Sequence, residues 1–291
     1  MFTAGEFCEM LDMPVQVQRR LEELEKTFDF EAVHAELSAL NGPDTWRDAR
    51  NALRQKLGED PDGYRMLLCM LRSMNGTYAY YMERKIPKQI FTDTMECFSR
   101  FVKEHMASFG RYGFDRDFWT GRQLSGLLYR IGALEFELTR DVVPDSGQGV
   151  ESEKAVRSGE EEELISIHIP SDAVMTVENC EESFRLADDF FRNYFPGRAD
   201  NRYVCSSWLL SPALRELLSR QSNIVQFQNR FEIVSWNKDS QEFMSWVYKR
   251  NDSALAELPE DTSLQRNMKA YLLAGGKVGE GYGILRRKKG E

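Results

Sequence analysis

The chain has few of the residues that usually announce a chemistry. Its three histidines, at positions 34, 105 and 168, stand far apart. Its five cysteines (8, 69, 97, 180 and 205) include no C-x-x-C pair. Neither set has the spacing of a metal site, so no metal is expected. An odd number of scattered cysteines points to reduced thiols and a cytoplasmic protein. There is no G-x-S-x-G elbow and no phosphate-binding P-loop. No apolar run reaches the length that crosses a bilayer. The opening residues, MFTAGEFCEMLDM, carry acids and no basic stretch, unlike a secretory signal. Positive charge is also in deficit: 38 Lys and Arg against 47 Asp and Glu give a net charge of −9. That balance argues against nucleic acid or an anionic membrane as partner. The one strong basic run, Arg286 to Lys289, reads as a solvated tail.

What is present suffices for two cores. The chain has 291 residues, 42% of them hydrophobic and 12% aromatic, as in ordinary globular proteins. Residues 1–113 read as a helical domain. Val15 to Phe28 and Phe30 to Leu40 are amphipathic, and Pro43-Asp44 opens a helix that stops near Gly58. Tyr64 to Met82 is apolar on most sides, as a central bundle helix must be. Phe91, Met95, Phe98, Val102, His105 and Phe109 repeat on one helical face, which makes His105 a core histidine. Gly110 and Gly113 close this half.

The period then changes, and residues 114–291 read as a mixed α/β domain. Tyr129 to Leu138 reads as a half-buried strand, with Leu134, Phe136 and Leu138 on one face and Glu135 and Glu137 on the other. Residues 141–163 lack periodicity and read as a flexible loop. Leu164 to Ile169 is a strand stopped by Pro170, and Thr176 caps a helix that runs to about Tyr194. Tyr203 to Leu210 is a further strand, and Ser211-Pro212 reads as a helix start. Ile224 to Trp236 reads as strand, with a turn or a bulge at Gln228-Asn229-Arg230. Asp239 with Glu242 reads as a capping pair for a helix to Arg250. A last helix starts at Asp261-Thr262-Ser263, and a strand or hairpin fills Gly279 to Leu285.

Strand, helix and strand from 164 to 210 make a βαβ unit, whose strands are parallel. Ligands of open α/β sheets bind at the C-terminal ends of such strands. His168 stands at one such end. Alternation puts Cys205 and Ser207 on one face of the next strand, with Ser206 and Trp208 on the other. A histidine and a thiol or hydroxyl can thus meet across one crevice. Each residue also has a plainer reading. Cys205 and Trp208 suit a core, and Glu135 and Glu137 suit a solvated edge.

The motifs Ile167-His-Ile-Pro170, Ser207-Trp-Leu-Leu210, Asn223-Ile-Val-Gln-Phe-Gln-Asn-Arg-Phe231 and Asp261-Thr-Ser-Leu-Gln-Arg266 resemble bacterial acyltransferase-domain proteins. In those proteins a helical N-terminal domain precedes a GNAT-like C-terminal domain. The resemblance implies an α+β fold in which two parallel strands, here Leu164–Ile169 and Tyr203–Leu210, splay apart. An acyl-CoA would enter between them, beside Ile167, Ile169, Ser171 and Trp208. It further implies direct transfer of the acyl group to a small-molecule amine. Glu135 or His168 would be the base, and Cys205, Ser207 or a tyrosine would protonate the leaving thiolate. Covalent catalysis through Cys205 is the variant of that scheme. One departure stands out: Pro170-Ser-Asp-Ala-Val-Met-Thr176 occupies the place of the family's glycine-rich pyrophosphate loop and has no glycine. The alternative is a non-catalytic binding or interaction protein on the same fold.

Overall fold

The computed structural model describes residues 1–144, 160–248 and 254–286. Most of the non-periodic stretch at 141–163, the end of the helix expected to reach Arg250, and Arg287 to Lys289 of the basic run lie outside the described residues. The chain divides into two compact units, Met1–Ile131 and Gly132–Glu291.

The first unit is helical: α1 (Ala4–Met10), α2 (Val15–Glu25), α3 (His34–Ala39), α4 (Trp46–Leu57), α5 (Tyr64–Glu83), α6 (Lys88–Met95), α7 (Cys97–Phe109) and α8 (Asp117–Leu124). The strand β1 (Leu128–Ile131) is its last element. Helix α5 packs against α1, α2, α3, α4, α6 and α8. It buries Met66 to Leu71 without a break, and this explains its lack of a polar face. Gly58 and Gly110 follow α4 and α7 with positive φ, a conformation that costs glycine little and other residues more. The apolar row from Phe91 to Phe109 is divided between α6 and α7, which meet at Glu96. His105 is buried, and its Nδ1 lies 2.8 Å from the carbonyl of Arg111, so Nδ1–H is the donor. Asp117 is buried too, and Arg54 holds both its oxygens at 2.6 and 2.7 Å.

The second unit is a sheet with helices. It contains β2 (Leu134–Asp141), β3 (Glu162–His168), α9 (Val177–Tyr194), β4 (Arg202–Ser207), α10 (Leu214–Leu217), α11 (Asn223–Gln228), β5 (Phe231–Asn237), α12 (Ser263–Leu273) and β6 (Glu280–Leu285). Within this unit the strand order is β2-β3-β4-β6-β5. Only β3 and β4 are parallel; the other neighbours run antiparallel. Capping chemistry sets the helix starts. Thr176 accepts from the N–H of Asn179 at α9, and Thr262 with Gln265 forms a capping box at α12.

Four expectations need correction. Residues 129–138 are not one strand, because Gly132, at φ +64°, turns the chain between β1 and β2. Nor is β2 half-buried, since Glu135 and Glu137 are only 2% and 8% exposed. Strand β4 ends at Ser207, and Trp208–Leu210 is a 3-10 turn. The Ser207 hydroxyl caps that turn by accepting from the N–H of Leu209. Helix α11 occupies the first half of the expected strand at 224–236, because Ser222 accepts from the N–H of Val225. Two helix starts also differ in detail. Ser211 does not cap a helix; its hydroxyl donates to the carbonyl of Val278. Ser240, not Asp239, accepts from the N–H of Glu242, and the segment continues as a π-helix over Met244–Tyr248.

The face of the sheet that meets α9 is a continuous apolar surface. Phe136 and Phe191 stack edge-on at 6.5 Å, Phe136 and Tyr203 at 5.9 Å, and Phe191 and Tyr203 at 6.3 Å. Cys205 follows Tyr203 on this face and is fully buried. All five cysteines are free and buried. Burial pushes the thiols of Cys8 and Cys69 up to about 12 and that of Cys180 up to about 11. Burial, with help from Glu280, raises Cys205 furthest. A thiol held neutral is a weak nucleophile, and Cys205 is therefore part of the core. The native protein should resist iodoacetamide at about pH 8, and all five thiols should react once guanidinium unfolds it. Fast native labelling of Cys205, seen by peptide mapping, would contradict this placement. Phe136→Ala should cost about 3–5 kcal/mol in chemical denaturation, because the aromatic contacts around that ring cannot close the space.

Candidate active site at the parting of two strands

The site begins with a change of partner. Strands β3 and β4 pair at Leu164 with Arg202, Ile165 with Tyr203, and Ser166 with Val204. Beyond that point Ile167 and His168 pair only with Phe136 and Glu135 of β2. Cys205, Ser206 and Ser207 pair only with Gly283, Tyr282 and Gly281 of β6. Two parallel neighbours thus release each other at their C-terminal ends, where an α/β sheet binds ligands. Each stays anchored to its outer neighbour, so the opening is held from both sides.

Register decides which side chains look across this opening. Glu135 lies opposite His168 and Glu137 opposite Ser166, so these four share the face away from α9. Because Ser166 pairs with Val204, the residue of β4 level with His168 on that face is Ser206. The crevice expected between His168 and Cys205 or Ser207 therefore does not form in that way. Cys205 and Ser207 point to the α9 side, and the Ser207 hydroxyl is engaged in its cap. Trp208 packs against the cluster of Leu214, Phe243, Met268 and Val278. Ile167 is buried, Ile169 is half-buried just past the end of β3, and Ser171 is exposed in the segment before α9.

The central contact joins His168 and Glu137. Nε2 of His168 lies 2.8 Å from Oε2 of Glu137. The carboxylate can only accept, so Nε2–H is the donor in this contact. The Glu137 side chain is 10% exposed and that of His168 20%, so the pair is largely shielded from water. Sequence patterning singles out His168 but reads Glu137 as a solvated acid. Alternation alone shows that Glu137 is on the polar face; its burial and its diagonal contact with residue 168 come from the sheet.

A second polar group escapes sequence patterning altogether. The exposed Ser206 hydroxyl donates to Oε1 of Glu280 at 2.6 Å, and the Ser240 hydroxyl reaches Oε2 at 3.3 Å. Glu280 opens β6 and stands on the same face as Tyr282 and Ser206. Nothing in the local sequence links residues 206 and 280; only the β4–β6 pairing does.

The segment from Pro170 to Thr176 is ordered by its own bonds. The N–H of Ala173 donates to the carbonyl of Pro170 and that of Thr176 to the carbonyl of Val174. The Asn179 side chain also donates to the carbonyl of Val174. The segment leads directly into the N-terminus of α9. Among the described residues, no group of three or more His, Cys, Asp or Glu is placed to hold a metal ion, and no helix is long and apolar enough to cross a membrane.

Comparison with known proteins agrees with this architecture. No curated protein matches the chain. A crystal structure of an acyltransferase in complex with decanoyl-CoA and teicoplanin is similar, with a TM-score of 0.73 and 23% identity, over 97% of this chain and 87% of that one. An acyltransferase mutant in complex with octanoyl-CoA gives 0.74 and 22% identity over 98% and 88%. An acyltransferase in complex with CoA and 10C-teicoplanin gives 0.65 and 22% identity over 98% and 99%. Identities this low establish a shared fold. Residues 2–126 match the N-acyltransferase N-terminal domain, and residues 128–285 match the GNAT-like C-terminal domain. On those two matches, which together take in nearly all of the sequence, the chain belongs to the family that joins an N-acyltransferase N-terminal domain to a GNAT-like C-terminal domain.

Proposed function

We propose that the protein transfers an acyl group from an acyl-CoA directly to an amine. The observation that carries this reading is the release of β3 from β4 after Ser166 and Val204, with the His168–Glu137 pair on one side of the opening. The similar structures hold CoA, octanoyl-CoA or decanoyl-CoA, and two of them hold teicoplanin or 10C-teicoplanin as well.

The residues present fit the thioester end of such a donor. The end of β3 lies past its pairing with β4, where the donor's amide arm can run along the strand. An N–H at the end of β3 can stabilise the negative charge that grows on the thioester oxygen. For the pyrophosphate, the N-terminus of α9 offers N–H groups and the positive end of the helix dipole. Ser171 and the N–H groups of the 170–176 segment would replace the missing glycines, while Asp172 opposes a second negative charge there. Binding at this end should therefore be weak relative to the acyl end.

His168 is the base in this scheme. Glu137 holds Nε2–H, orients the ring, and stabilises the imidazolium that forms when Nδ1 takes a proton from the amine. The amine nitrogen then bonds the acyl carbon, the carbon–sulfur bond breaks, and the proton passes to the CoA sulfur. Ser206, level with His168 on the facing strand, is the hydroxyl this scheme assigns to relay that proton. Glu135, buried and opposite His168, supports the same polar face. Cys205 has no part in the chemistry, because it faces the core.

Decanoyl-CoA should raise the melting temperature in a saturable way, as a ligand of the native state does. If neither CoA nor any medium-chain acyl-CoA does so, the protein is a binding module for something else. His168→Ala should lower kcat for transfer from decanoyl-CoA by about 10²- to 10⁴-fold and leave the KM for the donor unchanged. Glu137→Gln should lower kcat less, again without moving that KM or the melting temperature. A change in donor KM alone would mean that the pair serves binding and not proton transfer.

A further inference from the structure

Glu280 is set differently from three other acids of the sheet. Glu162 and Glu163 pair with arginines, and Glu137 pairs with His168. Glu280 is half-buried and is held by two hydroxyl donors, Ser206 and Ser240. Among the described residues, no cation pairs with it. Lys277, three residues before Glu280, is bound to Asp239 at 2.6 Å. The charge of Glu280 reaches its neighbours: Glu242 lies above the usual carboxylate range, first through burial and then through Glu280. Two hydroxyls fix the carboxylate in place, yet its charge is unanswered.

Its position relative to His168 gives that charge a use. Strand β6 lies beyond β4 as seen from β3, so where β3 and β4 have parted the two backbones are more than two strand spacings, on the order of 10 Å, apart. The carboxylate leans back toward the opening, because it is bonded to Ser206, which is level with His168. The two groups therefore face the same opening from opposite walls. A carboxylate beside an amine stabilises its ammonium form, which is the wrong state for a nucleophile. Glu280 accordingly suits a cationic group of the acceptor other than the one that reacts.

Resting on the acyl-transfer reading above, we infer that Glu280 anchors a second cationic group of the acceptor, and that the preferred acceptors are amines with an additional ammonium a few bonds from the reacting nitrogen. One end of such a molecule meets Glu280 and the other reaches Nδ1 of His168. The net charge of −9 favours the approach of a polycation in the same sense.

The experiment compares cadaverine with pentylamine, which has the same chain and one amine, by calorimetric titration into the protein saturated with CoA, which occupies the donor site and has no acyl group to transfer. Cadaverine should bind about tenfold more tightly, the scale of one charge-assisted contact. In Glu280→Gln the amide oxygen can still accept from Ser206, and the amide NH2 can donate to the Ser240 hydroxyl oxygen, so the strand end keeps both contacts. That substitution should bring the two amines to parity. Equal affinities in the native protein, or a preference that survives in Glu280→Gln, would overturn the inference. If neither CoA nor decanoyl-CoA raises the melting temperature, the acyl-transfer reading falls first, and that measurement tells the two failures apart.

Discussion

The second unit is organised around one incomplete strand pairing. Hydrogen bonds join β3 to β4 for three residue pairs and then stop, while each strand continues with its outer neighbour. Backbone polar groups that leave a sheet usually find another partner, since unpaired buried groups are costly. Here, past Ser166 and Val204, each of the two parallel strands keeps its outer neighbour. The βαβ crossover makes such ends adjacent, and β2 and β6 keep each strand from closing the gap. His168 and Ser206 lie just past the point where that pairing ends.

The two faces of the sheet divide the labour. The α9 side is packed with Phe136, Phe191 and Tyr203, and it takes in Cys205 as one more core residue. The opposite side carries the polar groups: Glu135, Glu137, Ser166, His168, Ser206 and Glu280. Buried carboxylates on such a face require partners. Glu137 finds one in His168, and the same bond that satisfies the acid also orients the imidazole. A structural need and a chemical one are thus met by a single contact. Glu280, by contrast, is satisfied in hydrogen bonds and not in charge.

Much of the fold is legible in the order of the residues. Helical periodicity locates α2, α4 and α5, and Thr176 and Thr262 mark the starts of α9 and α12. The β3–α9–β4 unit is legible because alternation, a capped helix and a second apolar run follow in order. The errors have local causes. Ile224 to Gln228 is β-branched and apolar enough to read as strand, but the Ser222 cap and the tertiary packing make it a helix. Alternation identifies the polar side of β2 but carries no information on whether another layer covers that side.

For the site, the sequence by itself determined the residue types and their strand faces. It placed His168 at a strand end, Ser206 and Cys205 on opposite sides of β4, and no glycine before α9. These follow from the period of two along a strand, which is a local property. Only the tertiary structure decided which of those faces meet. Register brought Glu137 to His168, set Ser206 rather than Cys205 level with it, and carried Glu280 from 74 residues away to Ser206. Register depends on pairing between distant segments and on the layers that cover each face. No spacing along the chain encodes it.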